Sequence, residues 1–294
     1  MHTQPVETRA SCEPNDPWSF EFKDGIICKA ELIPPNPRKG LNWSLANFYS
    51  QEDAEQQPAL AKRIADELIK RDVRRAYAPS VAHHSARIVD REELSTCIEL
   101  PGGVLLFRNK DLPADGVPIR RKEAFIMSGA GCSPIVVAGK GYCVPIHGSR
   151  ETLIDRSKFD PTSTSRDHES VIHAVVDFLR RQYKVKPEHL SLRGGLYIAA
   201  DKFEHPYDHP EHGVLNLALY DYLFDLYDGF ELMAGSRGHL DLGELAMTIA
   251  RKVGIPKKNT SFAQTLPEGA VTTRNQSEYP GAPWRNLVIV YRTQ

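Results

Sequence analysis

Residues 129–148 read Gly-Ala-Gly-Cys-Ser-Pro-Ile-Val-Val-Ala-Gly-Lys-Gly-Tyr-Cys-Val-Pro-Ile-His-Gly, and this stretch decides the fold prediction. Two apolar runs flank the short segment Ala-Gly-Lys-Gly, a pattern typical of a β-hairpin. A turn centred on Gly139-Lys140 places Cys132 opposite His147 and sets the two prolines of the stretch opposite each other. Because proline cannot donate to a neighbouring strand, facing prolines indicate a non-hydrogen-bonded pair, in which side chains lie close together. We therefore predict that strand register brings the Cys132 thiol to the His147 imidazole.

A thiol beside an imidazole supports two kinds of chemistry. In the first, His147 removes the thiol proton and Cys132 attacks an acyl or amide carbon, as in cysteine hydrolases and deamidases. In the second, the thiolate and the imidazole share a metal ion, which needs a third ligand. Without either role, Cys132 is a small buried residue and His147 a residue at a strand end. Gly129, Gly131 and Gly148 flank the pair, and they favour a backbone open to a substrate or an ion.

The segments outside the hairpin predict a mixed α/β domain. Apolar residues recur with strand or helix periods. They predict strands at 21–33 and 286–292, a β-rich region at 86–148, and helices that begin at Pro58 and cover 169–183, 214–228 and 241–253. The N-terminal segment is polar, so we expect residues 1–20 to be a flexible lead-in and residues 21–294 to form a single catalytic domain.

The composition of the 294 residues excludes several classes of protein. Lys+Arg 37 and Asp+Glu 38 nearly cancel, so no overall basic field attracts nucleic acid or an anionic membrane. No stretch approaches the roughly 20 apolar residues that cross a bilayer, and the N-terminus lacks the apolar part of a secretory signal. Five cysteines without a framework spacing argue against a disulfide scaffold. We expect a cytoplasmic protein with a small-molecule substrate and with neither nucleic acid nor membrane as a partner.

Four segments carry a family resemblance, in the same order along the chain. They are His84–Val89, Ala114–Val117, Gly131–Val137 and Val144–Gly148. They resemble the Gln-Val-His-Gly-x-x-Val, Ala-Asp-Ala, Ala-Asp-Cys-x-Pro-Val and His-Ala-Gly-Trp-Arg-Gly segments of the laccase-domain (YfiH-like) family. With similar segments outside them, the resemblance covers roughly residues 21–292. It implies an α/β fold of four layers, an α/β/β/α sandwich with mixed sheets.

The resemblance also implies one zinc ion, or copper in older descriptions, held by two histidines and a cysteine. Carried over position by position, the metal ligands and catalytic residues are His84, Cys132 and His147. Three protein ligands leave the open position that a catalytic metal needs. The family is linked to phosphorolysis of purine nucleosides and to adenosine deamination, and some bacterial members to amide editing of peptidoglycan precursors. Arg150 and Arg274 are candidates to hold an anionic group of the substrate, such as phosphate.

The chain also departs from the family pattern, on the substrate side more than at the ligands. Ala82 stands in place of the family's Gln, Gly131 in place of the Asp before Cys132, and no Trp follows His147. The same hairpin resembles the catalytic hairpin of cytotoxic necrotizing factor toxins, which deamidate glutamine through Cys and His without a metal. His84 favours the metal interpretation, because a Cys–His hydrolase needs no second imidazole.

We therefore predict a zinc-dependent enzyme acting on purine nucleosides by phosphorolysis or deamination. The alternatives are a metal-free Cys–His hydrolase, either a deamidase with a protein substrate or a peptidoglycan-precursor amidase, and an inactive binding module on the same fold. Two further motifs are weaker. The histidines His205, His209 and His212 can bind a transition metal but favour an exposed loop, and the glycines in 193–195 could approach a phosphate.

Overall fold

The chain combines strands and helices, and the computed structural model describes residues 18–36, 39–81, 86–196, 205–227, 234–235, 238–264, 270, 272 and 283–294. The strands are β1 (Trp18–Glu21), β2 (Ile27–Ile33), β3 (Arg75–Tyr77), β4 (Thr96–Leu100), β5 (Val104–Arg108), β6 (Glu123–Gly129), β7 (Ser133–Gly139), β8 (Tyr142–Gly148), β9 (Ser191–Leu196), β10 (Ala234–Gly235), β11 (His239–Leu240), β12 (Thr260–Gln264) and β13 (Asn286–Arg292). The helices are α1 (Gln51–Gln56), α2 (Pro58–Ile69), α3 (Arg150–Leu153), α4 (Val171–Tyr183), α5 (Gly213–Leu226) and α6 (Leu242–Lys252).

Two mixed sheets form the centre of the described structure. The first has seven strands in the order β1-β2-β13-β6-β3-β5-β4, with β3 parallel to both β5 and β6 and the other neighbours antiparallel. The second has four strands in the order β12-β9-β7-β8, with β12 and β9 parallel and the hairpin β7-β8 antiparallel. β10 and β11 form a separate two-stranded ribbon. The chain passes from the first sheet to the second between β6 and β7.

Three apolar cores separate the layers, and they confirm the predicted α/β/β/α sandwich. Ile64 and Leu68 of α2 pack on one face of the first sheet. Alternate residues of β7 then divide between the other two cores: Val136 lies between the sheets, whereas Ile135 and Val137 face α3, α4, α5 and α6. This alternation follows from the two-residue period of a strand. Because β7 is covered on both faces, all of its residues are buried and its sequence carries no polar side chain after Ser133.

The helix boundaries follow from local sequence. The Ser170 hydroxyl accepts from the His173 N–H at the start of α4, and the Asp241 carboxylate accepts from the first turn of α6. Lys184 ends α4 in the left-handed conformation. The predicted helices are thus confirmed within a few residues. The first sheet begins before residue 21, since β1 starts at Trp18 and buries Trp18 and Phe20. Residues 1–17 lie outside the described part of the chain.

In the described parts of the chain, none of the helices combines the length and the apolar character needed to cross a membrane.

Candidate functional site

Cys132 lies on the connection that carries the chain from β6 in the first sheet to β7 in the second. Its side chain is half-buried. Gly131 precedes it with φ of +103°, a conformation that side-chain-bearing residues rarely adopt. The departure from the family's Asp at position 131 therefore has a backbone reason: the chain turns there in a way that favours glycine.

The hairpin register differs from the predicted one by two residues. β7 pairs with β8 so that Gly139 faces Tyr142, Pro134 faces His147 and Val136 faces Pro145. The turn is centred one residue later than expected because Lys140 and Gly141 both take positive φ, as a type I′ turn requires. The prediction that Cys132 lies directly opposite His147 was wrong. Because a shift of two residues keeps every side chain on the same face, Cys132 and His147 become diagonal rather than direct neighbours.

The Cys132 thiol and the His147 imidazole still meet, and a hydrogen bond joins them. Burial opposes ionisation of the Cys132 thiol, but the His147 charge, this hydrogen bond and the nearby Arg285 guanidinium together lower its pKa. Burial likewise disfavours the His147 imidazolium, but the Cys132 thiolate and the Asp115 carboxylate raise the pKa of His147 to about 10. Each group of the pair therefore favours the charged form of the other.

Asp115 stands behind His147 and was not assigned a role from the sequence. Its carboxylate is fully buried, and Oδ1 lies 3.3 Å from Nδ1 of His147. The Asp115 main-chain carbonyl also accepts from the His147 N–H at 2.7 Å. With Nδ1 facing this carboxylate, Nε2 is the ring nitrogen left for Cys132 or for a metal ion. The sequence does contain a signal for this role, since Asp115 is an isolated acidic residue between Ala114 and Gly116 in one of the segments that resemble the family.

The backbone around His147 is held from its other side by α3. Thr152 Oγ1 donates to the His147 carbonyl oxygen at 2.9 Å, and the Ser149 hydroxyl accepts from the Thr152 N–H at 3.2 Å to cap the helix. His147 itself is 3% exposed. Contacts on N–H, carbonyl and ring thus fix its orientation before any ligand binds, as expected of a functional residue on a rigid strand.

A main-chain hydrogen bond and a nearby positive charge also lower the pKa of the Cys132 thiol. The Ala130 main chain hydrogen-bonds to the Cys132 sulfur, and this bond also lowers the thiol pKa. Arg285, which acts on the same sulfur, immediately precedes β13. Asn286 follows it and donates from Nδ2 to the Gly129 carbonyl at 3.0 Å, which ties the start of β13 to the end of β6. No role at the site was assigned to Arg285 from the sequence.

The other predicted site residues lie elsewhere or outside the description. His84 and Arg274 lie outside the described residues. Arg150 contacts the Glu151 carboxylate and lines a separate cavity, whose described lining includes neither Cys132 nor His147.

The role predicted for Gly148 is also corrected. A Cβ atom at Gly148 would lie 2.5 Å from Ile135, so packing requires this glycine and it does not leave the backbone open for a ligand. The glycines at 194 and 195 face Phe262 and Trp18 in the same way, which argues against a phosphate-approach role.

The described side chains of the site fit a zinc ion. Zinc binds thiolate sulfur and neutral imidazole nitrogen, and a carboxylate on the second ring nitrogen is the common way to orient a ligating histidine. Cys132, His147 and Asp115 supply these three features. Within the described residues no group of three histidine, cysteine or acidic side chains is placed to hold a metal, and the third predicted ligand, His84, lies outside them.

Comparison with solved structures identifies the fold. The chain is similar to the hypothetical protein YfiH of Bacillus licheniformis, with a TM-score of 0.59, 13% identity, and coverage of 95% of this chain and 97% of that one. It has the fold of the YfiH-like laccase-domain proteins. YlmD from Geobacillus stearothermophilus gives a TM-score of 0.57 at 14% identity, with 92% of each chain covered. No family model and no curated protein matches the sequence. The predicted resemblance to this family is confirmed at the level of the fold, and the low identity fits a divergent sequence.

Proposed function

We propose that this chain is a zinc-dependent enzyme acting on purine nucleosides, with His84, Cys132 and His147 as the metal ligands. The observation that carries the proposal is the contact between the Cys132 thiol and the His147 imidazole, backed by the buried Asp115 carboxylate. The position of Cys132 supports the assignment, because it lies on the connection between the two sheets of a fold shared with YfiH and YlmD.

The chain's own residues prepare this centre in three ways. Asp115 holds the His147 ring so that Nε2 is presented to the site, and a fixed ring loses less entropy when it binds a ligand. Arg285 and the Ala130 main chain favour the ionised form of Cys132, which is the form that binds metal. When bound, zinc would supply a Lewis acid that polarises an oxygen of the substrate or of water.

The substrate class comes from the family resemblance rather than from a described pocket. Purine nucleosides are proposed on that basis, with phosphorolysis or deamination as the reaction. Phosphorolysis needs a phosphate ion beside the ribose, and a guanidinium group is suited to hold it. Arg274 remains the residue proposed for this task, whereas Arg150 lines a separate cavity.

The metal-free alternative is favoured by one specific observation. Cys132, His147 and Asp115 form a chain of thiol, imidazole and carboxylate in the order used by nucleophile, base and orienting residue in cysteine hydrolases. In that reaction the Cys132 thiolate adds to an amide carbon and His147 gives its proton to the departing ammonia or amine. Water then releases the acyl group from the sulfur. An inactive binding module is the remaining candidate.

Metal analysis combined with two assays tests these functions. We expect purified protein to contain close to one zinc per chain, and His84→Ala to lose it while keeping a wild-type circular dichroism spectrum. Inosine with phosphate should give free hypoxanthine, or adenosine should give inosine, and a chelator should abolish either reaction. His189→Ala, an exposed histidine far along the chain, is the matched control and should retain metal and activity.

Two results would overturn the zinc proposal. In the first result, the protein contains no metal but still releases ammonia from a glutamine-containing protein, and Cys132→Ala abolishes this activity. The chain would then be a metal-free deamidase. Protein with neither metal nor activity on either class of substrate is the binding module.

A further inference from the structure

A second site is suggested by a cavity of about 280 Å³ between the segment that follows β8 and the N-terminal end of α5. Arg150 and Arg156 line it from the first side, and His205, His209 and His212 line it from the second. No acidic side chain belongs to the described lining. A cavity surrounded by guanidinium and imidazole groups without a carboxylate is suited to an anion.

The two arginines keep donors available. Among the described residues, the Arg156 side chain donates from Nε to the Asp160 carboxylate at 2.6 Å, and its terminal nitrogens Nη1 and Nη2 remain as further donors. Arg150 contacts Glu151 through Nε and one terminal nitrogen. Each guanidinium is thus oriented by a carboxylate outside the cavity lining and still has a free terminal donor, which is the arrangement that holds phosphate oxygens.

The histidine at position 209 is set as a donor by the backbone. Its Nδ1 accepts from the main-chain N–H groups of Glu211 and His212, at 3.2 and 3.1 Å. An imidazole that accepts at Nδ1 carries its proton on Nε2, so the outer nitrogen of His209 is a hydrogen-bond donor. The His209 ring also stacks on that of His212, with centroids 4.8 Å apart. His209 therefore presents a donor without needing to become charged.

The loop that carries these histidines is firmly built. The His205 N–H donates to the Gly238 carbonyl at 2.6 Å, and the Asn216 amide donates to the Pro206 carbonyl at 2.9 Å. The Gly213 N–H donates to the His209 carbonyl at 2.8 Å as α5 begins. His205 is 4% exposed. The expectation of an exposed histidine loop is therefore only partly right, because the loop is held against α5 and forms one wall of the cavity.

Other residues that line the cavity are apolar, so they can contact an organic part of the ligand. Phe159, Leu215 and Leu219 contribute an apolar wall next to the cationic one. The first turn of α5, which starts beside this cavity, contains no acidic residue, so its partial positive charge adds to that of the arginines. An inorganic ion would use only the polar side of such a cavity. A small molecule with an anionic group and an apolar body would use both sides.

We propose that this cavity binds a phosphate monoester of a small organic molecule, with the phosphate between Arg150, Arg156 and His209 and the organic part against Phe159 and Leu219. Phosphate fits better than carboxylate because three separate donor side chains line the cavity and a phosphate monoester has three terminal oxygens to accept from them. The site goes beyond the function proposed for Cys132, and it does not depend on zinc or on catalysis there.

Calorimetric titration with phenyl phosphate tests the site directly. We expect measurable binding by the full-length protein at low ionic strength, weakening as salt is added. Arg156→Gln should weaken it about tenfold or more, since a charge-assisted bidentate contact is lost. Inorganic phosphate should bind more weakly than phenyl phosphate, and phenol should not bind. Arg181→Gln, on an exposed arginine of α4, is the matched control and should bind as the wild type does.

Further variants distinguish this cavity from the Cys132 site. Cys132→Ser should bind phenyl phosphate as the wild type does, whatever becomes of the zinc proposal. If Arg156→Gln fails to fold by circular dichroism, Arg150→Gln carries the same expectation, because the described partner of Arg150 is its own neighbour Glu151. Unchanged affinity in the folded arginine variants, binding of phenol as tight as that of phenyl phosphate, or tighter binding of benzoate would each overturn the proposal.

Discussion

Two thiol sites on the same face of β8 show how surroundings decide what a cysteine does. Cys143 lies 3.0 Å from Cys28 of β2, sulfur to sulfur, and both are buried between the sheets. Four residues further along the same strand, His147 contacts the thiol of Cys132. Cys143 is buried and Cys132 is half-buried, but burial opposes ionisation of both thiols. Their partners distinguish them, because Cys143 faces another thiol and Cys132 faces an imidazole.

The pKa shifts of the two thiols have opposite signs. Burial raises the pKa of Cys143 well above its usual value, and the neighbouring Cys28 raises it further. Burial acts in the same sense on Cys132, but there His147 and Arg285 overcome it and lower the pKa. Cys143 thus behaves as an apolar core residue, whereas the surroundings of Cys132 favour its thiolate form.

The largest expected effect comes from Cys132→Ser. We expect it to lower activity by at least about 1000-fold, because the thiolate is either a metal ligand or the nucleophile in both proposed mechanisms. In chelator-treated protein, Cys132 should also react with iodoacetamide down to lower pH than the exposed Cys97, since its lowered pKa keeps it ionised as the pH falls. Peptide mass spectrometry after timed alkylation at pH 5–9 measures this. Alkylation of Cys143 or Cys28 as fast as that of Cys132 would remove the distinction between the two sites.

A smaller effect is expected when the partner of the thiolate is changed. His147→Gln removes the positive charge beside Cys132, so the thiol pKa should rise and alkylation at pH 7 should slow by about tenfold for each unit of the rise. His189→Ala should leave the rate unchanged. If His147→Gln alkylates at the wild-type rate, the low thiol pKa would have to come from Arg285 and the Ala130 main chain instead.

Much of the fold could be predicted from the sequence because its signals are local. The hairpin, the helix that begins at Pro58 and the cap at Asp241 each depend on residues that are neighbours in the chain. The exact register could not be predicted, because it depends on whether the turn is centred on Gly139-Lys140 or on Lys140-Gly141. Either glycine permits a tight turn, and packing against the rest of the sheet makes the choice.

The candidate site shows the same limit. Cys132 and His147 were found because one hairpin contains both. Asp115 and Arg285 reach the site from segments that approach it only after the two sheets are assembled. Residue type alone gave no reason to join Arg285, far along the chain, to a cysteine at the end of β6. Arg150 illustrates the converse, since nearness to His147 in sequence did not place it in the described surroundings of Cys132.

Asp115→Asn tests the residue that orients the His147 ring. The amide keeps the size of the side chain and removes the negative charge that helps hold the proton on His147, so the His147 pKa should fall. The positive charge beside the Cys132 thiol would then be weakened. We expect zinc affinity or activity to fall about tenfold to 100-fold, as for other residues that orient a ligating histidine. Competition with a chromogenic chelator measures the affinity. Asp111→Asn, on an exposed carboxylate of the same loop, should have no effect. Unchanged affinity in Asp115→Asn would show that Asp115 has only a structural role.

Cys143→Ser should have the smallest effect on the site and a clear effect on stability. The serine hydroxyl is more polar than the thiol and would be buried between the sheets next to Cys28, so we expect the free energy of unfolding to fall by about 1–3 kcal/mol. Urea denaturation measures this loss, while the alkylation rate of Cys132 should stay at the wild-type value. The same replacement at Cys97, which is exposed, controls for the chemistry of the change and should cost little. Cysteine to serine at 132 and at 143 would then give opposite results, with function lost at the first and stability lost at the second. If Cys143→Ser instead slowed alkylation of Cys132 without destabilising the fold, the two thiols would have to be coupled through β8 rather than set independently by their neighbours.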